Sequence, residues 1–83
     1  SAELRLHALL ALLVNRLGRR CGQWCDLPFR ITHDRIGELI GSTRVTSTRL
    51  ISKLRNSEQL DTPSGDNNLR LSAALIESAP VLG

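Results

Sequence analysis

The sequence predicts a mainly α domain with a small β-hairpin, arranged as a winged helix-turn-helix. Three observations predict it. Two short amphipathic segments, residues 36–40 and 47–54, are separated by a turn containing Gly41. Gly37, small enough for a close helix crossing, stands just ahead of that turn. Residues 64–68 read Ser-Gly-Asp-Asn-Asn, strong turn formers between two short runs of strand character. At 83 residues the chain has room for one hydrophobic core, so residues 1–83 are read as a single domain.

Ala2–Leu17 reads as the first helix. Leu6, Leu9, Leu10, Leu13 and Leu17 recur at helical spacing and share a face. Gly18 terminates it, with Arg19 and Arg20 beside its negative end. Leu4 and Leu12 fall on the opposite side, where a lone amphipathic helix is polar. A helix apolar on two sides has neighbours on two sides, so another domain or a dimer mate is expected there. Residues 21–29, with Gly22, Pro28, Trp24 and Phe29, predict a short strand.

Thr32 stands as the N-cap of the second helix, with Asp34 in its first turn as a stabilising charge. Ile36, Leu39 and Ile40 form its apolar stripe, and Gly41 ends it. Ser42 or Thr43 caps the third helix, which runs to about Asn56 with Ser47, Leu50, Ile51 and Leu54 turned inward. Residues 60–63 and 69–72 are the strands of the hairpin. Residues 73–79 add a last short helix, with Pro80 at its frayed end. Residues 1–18 are thus a linking helix, 32–56 the helix-turn-helix and 57–72 the wing.

Charge is distributed unevenly. The formal net charge is +3, yet residues 42–56 hold Arg44, Arg49, Lys53 and Arg55 with no acid, and residues 57–83 carry Arg70 against four acids. A basic island in a near-neutral chain fits an anionic partner, with double-stranded DNA first; the plain alternative is a solvated helix face. Ten of the eleven basic residues are Arg, whose fork suits phosphate and guanine. No uncharged run approaches the roughly 20 residues of a membrane span, and two cysteines make no disulfide framework. The expected setting is a soluble, cytoplasmic protein with no membrane partner.

The run ITHDRIGELIGSTRVTSTRL, residues 31–50, resembles the DNA-binding region of the CRP/FNR superfamily of transcription regulators. Within it, residues 41–50 are most similar to the nitrogen-control regulators of cyanobacteria. The resemblance implies a third helix that enters the major groove of a palindromic promoter site. Arg44 and Arg49 match the family's base-reading arginines, and Thr48 also faces the bases. Val45 falls where the cyclic-AMP receptor protein has a glutamate that accepts from cytosine. Valine packs instead on a thymine methyl, which implies GTA-type rather than TGTGA-type half-sites. His33 matches a position near the DNA backbone, and Thr32 opens a helix whose N–H groups suit a phosphate.

Ser42, Thr43, Thr46 and Lys53 complete the expected backbone contacts. The family carries an N-terminal effector-sensing β-barrel and a dimerisation helix, neither of them in these residues. A homodimer formed through that region, and RNA polymerase as a further partner, are what the resemblance implies. Ser47 departs from the family, which usually has Val or Ile there; its hydroxyl is expected to bond back to a carbonyl of its own helix. Asp61 and Asp66 weaken the case for the wing touching phosphate, although Ser64, Asn67 and Asn68 keep donors there.

Other chemistries find little support. Cys21 and Cys25 form a C-x3-C pair, with His7 and His33 the only histidines. Structural zinc takes four ligands, usually in tighter pairs, so no metal is expected; the cysteines are read as small hydrophobes. No cofactor is expected in this domain. His33 and Asp34 are helix neighbours that do not face one another, and no nucleophile–base pair or phosphate loop appears, so the protein is read as no enzyme. The remaining alternative is a winged-helix module that binds protein rather than DNA, whose recognition helix would be neutral and apolar.

Overall fold

A computed structural model describes residues 1–62 and 68–79. The order is α1 (Ala2–Leu17), β1 (Arg19–Cys21), β2 (Trp24–Arg30), α2 (His33–Ile40), α3 (Arg44–Asn56), β3 (Leu60–Asp61), β4 (Asn68–Ser72) and α4 (Ala73–Glu77). The strands form one antiparallel sheet in the order β1-β2-β4-β3. The wing hairpin pairs Leu60 with Leu71 and Asp61 with Arg70. The residues expected to form its turn, with Asp66, Ser64 and Asn67, lie outside the described residues, as does Pro80.

The sheet is larger than the single wing hairpin. Where one strand was expected over residues 21–29, two strands pair through a turn at Gly22 and Gln23. β2 alternates half-buried Trp24, buried Cys25, half-buried Asp26 and buried Leu27, as a strand with one face on the core should. Pro28 cannot donate to a neighbour, and the β2–β4 register shifts between Asp26 and Arg30, around it. Arg70 Nε reaches Asp26 Oδ1 at 3.0 Å from the facing position on β4.

The core joins all layers. Leu6 and Leu10 from α1, Leu27 from β2, Ile36 and Ile40 from α2, and Ile51 from α3 are buried together with Leu60, Leu71 and Leu75. Two leucines assigned to inward stripes are not there. Leu17 is 55% exposed at the last turn of α1, and Leu39 is 54% exposed on α2. An eight-residue helix packed along one side buries a narrow stripe, and Ile36, Gly37 and Ile40 fill it. Leu4 and Leu12 are exposed, 56% and 51%, as the second apolar side of α1 predicts.

Caps fix the helix ends. Thr32, Thr43 and Ser72 each accept a hydrogen bond from the third N–H of the helix they open. Gly41 closes α2 in the left-handed region, φ 69°, where glycine carries no Cβ penalty. Gly18 caps α1 for another reason. Its φ is −80°, and a Cβ there would lie 2.8 Å from the Val14 backbone.

Side chains then tie α1 to the rest. Arg5 Nε donates to the Ile40 carbonyl at 2.6 Å, satisfying one end group of α2, and His7 Nε2 bonds the Leu75 carbonyl of α4. Replacing Arg5 by alanine is expected to cost about 1 kcal/mol, the loss of one partly exposed charge-assisted bond. A thermal melt would register this as a fall of roughly 4–8 °C, and an unchanged melting point would show the bond to be idle.

Candidate nucleic-acid interface

The third helix is built to present one face. Thr43 Oγ1 accepts from Thr46 N–H at 3.1 Å and donates to Thr46 Oγ1 at 3.1 Å, so cap and first turn lock together. The Thr46 hydroxyl proton is left for an outside acceptor. Ser47 is fully buried, and its hydroxyl donates to the Thr43 carbonyl at 3.0 Å, the back-bond expected of it. That bond disposes of a polar group at the helix crossing, and a small residue there lets α3 sit close on α2. Ile51 anchors the next turn in the core, while Leu50 and Leu54 are half-buried beside it.

Opposite that seat, Arg44, Val45, Thr48, Arg49 and Ser52 share an arc of about 140° at 100° per residue. Val45 is 74% exposed, the most exposed of the large apolar side chains among the described residues. Arg49 is exposed and makes no hydrogen bond or ion pair with the described residues. Arg44 Nε lies 4.0 Å from Asp34 Oδ1, both well exposed. Asp34 therefore faces α3 as well as standing in the first turn of its own helix. α3 bears no acid along its length and carries Lys53 and Arg55 in its last turn.

The other predicted residues fall around this face. His33, at the first position of α2, places Nδ1 at 2.8 Å from Thr48 Oγ1. Two residues singled out separately are thus one hydrogen-bonded pair. Thr32 is occupied by its capping bond to Arg35 N–H. Ser42 sits in the turn with its N–H on the Gly37 carbonyl at 2.7 Å. Lys53 stands on the flank and reaches Glu3 of α1 at 3.1 Å. Sequence reasoning missed Arg30, at the end of β2, which joins Arg44, Arg55 and His33 around a cleft of about 350 Å³ beside the start of α2 and the wing residue Thr62. The signal available was charge alone, because nothing local in the sequence brings Arg30 beside Arg55.

Other parts of the surface carry less. Cys25 is buried in the core and Cys21 is exposed on β1; both are unbonded. Among the described residues no helix is long and apolar enough to cross a membrane.

Comparison with known proteins supplies the family. The chain is 38% identical over 56 residues to a global nitrogen regulator of Nostoc sp., covering 68% of this chain and 25% of that protein. It is 37% identical over 62 residues to the regulatory protein CysR of Synechococcus elongatus, covering 71% of this chain and 30% of that one. The chain therefore spans between a quarter and a third of these relatives. Among solved structures, oxidised CprK in complex with o-chlorophenolacetic acid superposes over 100% of this chain and 35% of its own, with a TM-score of 0.83 at 21% identity, a likeness of fold. Reduced CprK without ligand gives a TM-score of 0.76 over 93% of this chain and 36% of its own, at 23% identity. Residues 5–75 match the Crp-like helix-turn-helix domain. The chain belongs to this non-enzymatic family, and is a helix-turn-helix DNA-binding domain of the transcription-regulator type.

Proposed function

We propose that this domain reads a palindromic promoter site by laying α3 in the major groove, with Arg44 and Arg49 on base edges and Val45 against a thymine methyl. The observation that carries the reading is the acid-free outer face of α3, where exposed Arg49 and Val45 stand side by side. An arginine fork matches guanine O6 and N7, and Val45 in place of a carboxylate rejects cytosine, which favours GTA-type half-sites. The similarity to a global nitrogen regulator supports that preference.

Backbone contacts flank the helix. The start of α2 offers N–H groups to one phosphate, with His33 beside them and Ser42 in the following turn. Thr46 contributes its remaining hydroxyl proton and Lys53 exchanges Glu3 for a phosphate. Arg30 and Arg55 extend this basic track toward the wing. In the whole protein, two copies on a two-fold axis would set half-sites about 34 Å apart, with dimerisation and effector sensing supplied by other segments. Leu4 and Leu12 suit a contact with those segments. Recruitment of RNA polymerase and a cytoplasmic setting belong to the same reading.

Fluorescence anisotropy tests it, using a duplex with a GTA…TAC palindrome, one with TGTGA half-sites and a scrambled one. Preference for the first, weakening as salt rises, is the expected result. Arg44→Ala and Arg49→Ala should each flatten discrimination at one base position by about 1–3 kcal/mol, whereas Lys53→Ala should weaken all three duplexes alike. Uniform weakening by all three substitutions would remove base reading from α3. No binding at low salt would turn the exposed face toward a protein partner.

A further inference from the structure

We propose that His33 is a positioning residue that sets the hydrogen-bonding sense of Thr48, so that base preference at the Thr48 position depends on the protonation of His33. This rests on the docking of α3 proposed above, with Thr48 facing a base edge as the family resemblance implies. The two side chains come from different helices and meet at 2.8 Å, Nδ1 to Oγ1. Thr48 is exposed on α3 and His33 is half-buried at the start of α2.

A threonine hydroxyl has one proton and two lone pairs, so its partner decides what remains for a ligand. When the ring proton is on Nε2, Nδ1 accepts the Thr48 proton. Thr48 then offers only lone pairs outward, which suit the amino groups of adenine N6 or cytosine N4. When the ring is an imidazolium, Nδ1–H donates to Oγ1 and the Thr48 proton is released outward. It then suits guanine O6 or N7, or thymine O4. The neutral tautomer with its proton on Nδ1 behaves as the imidazolium does. A phosphate held by Nε2–H selects between the neutral tautomers, favouring the one in which Nδ1 accepts.

Among the described residues, the charged groups around His33 are few. Asp34 follows it on α2 with Arg44 of α3 at 4.0 Å from that carboxylate, and Arg30 of β2 and Arg55 of α3 line the same cleft. Arginines keep their charge at all working pH values, and carboxylates ordinarily stay ionised above about pH 5.5. Imidazole is the side-chain type that can gain or lose a proton near neutral pH. His7, the other histidine, bonds the Leu75 carbonyl between α1 and α4, away from this pair.

The test measures affinity for duplexes with each of the four bases at every half-site position, at several pH values from about 5.5 to 8. Wild type should show, at one position, a preference that shifts by about fivefold from adenine or cytosine toward guanine or thymine as pH falls, the worth of one neutral hydrogen bond. Thr48→Val should abolish preference and shift at that position. His33→Asn, whose amide takes the place of Nδ1 without titrating, should keep a preference there and lose its pH dependence. His33→Ala should lose both. In the DNA-free protein, three-bond couplings at Thr48 should report one side-chain rotamer in wild type and averaging in His33→Ala.

The outcomes separate the two readings. If wild type binds DNA with no base preference anywhere, base reading fails and the proposal falls with it. If wild type discriminates bases and His33→Ala discriminates equally, with the same pH profile, base reading stands and the positioning role is overturned. A His33→Ala protein that binds every sequence less well by the same factor, with its preferences intact, would make His33 a phosphate contact only.

Discussion

Replacing Ile51 by alanine is expected to destabilise the domain by about 2–5 kcal/mol, the usual cost of a cavity at a fully buried isoleucine. Ile51 is 1% exposed and is the side chain by which α3 enters the core shared with Ile36 and Ile40. A domain of this size has roughly 0.05–0.15 kcal/mol of stability per residue to lose, so the substitution removes a large part of the total. Urea unfolding measures it as a drop in midpoint with little change in slope. Leu39→Ala is the matched control. It removes a side chain of the same size from the neighbouring helix, but one that is mostly in solvent, and should stay within about 0.5 kcal/mol of wild type. Equal losses for the two would contradict the packing described for α2 and α3. DNA affinity of the Ile51 variant should recover when it is measured well below its melting temperature, because the outer face of α3 is unaltered.

Gly37→Val should be the other severe change, and here affinity should fail together with stability. A Cβ at Gly37 would stand 3.0 Å from the Ser42 carbonyl oxygen, 3.0 Å from Thr43 C and 3.1 Å from Thr43 O. All three are backbone atoms of the turn that caps α3, so no side-chain rotation relieves the contact. Two further methyl groups deepen it. The expected cost is about 3 kcal/mol, at the upper end for overpacking. Relief requires the start of α3 to move off α2, which would also pull Thr48 away from His33. Discrimination between duplexes should therefore fall even under conditions where circular dichroism shows the protein folded. Full discrimination in a folded Gly37→Val protein would show that the crossing tolerates displacement.

Residues that act through local chemistry were readable in advance. Thr32, Gly41 and Thr43 mark the helix ends by what a capping hydroxyl or a left-handed turn requires, and the structure places all three in those roles. Gly37 was legible as a small residue at a crossing, and Ser47 as an inward residue whose hydroxyl bonds back to its own helix; the structure places both so. Leu39 misled because periodicity in so short a helix cannot tell the core-facing stripe from its border. β1 was invisible for a different reason. Arg19, Arg20 and Cys21 have no alternation to read, and they form a strand only because β2 offers them a partner. The His33–Thr48 bond spans two helices, and Arg30 and Arg55 come to line one cleft only through the fold, so neither could be found by spacing along the chain.

The sheet ends abruptly on both sides, and that has a consequence for the protein at high local concentration. Its outermost strands are the three-residue β1, with two arginines and every residue exposed, and the two-residue β3. An incoming strand needs a longer row of unpaired backbone groups than β3 provides, and on β1 it would meet Arg19 and Arg20 in the copy it joined. Copies brought close together can thus lie next to each other without their sheets fusing. The same cationic margin that resists polymerisation is at home in the counterion cloud of a polyanion.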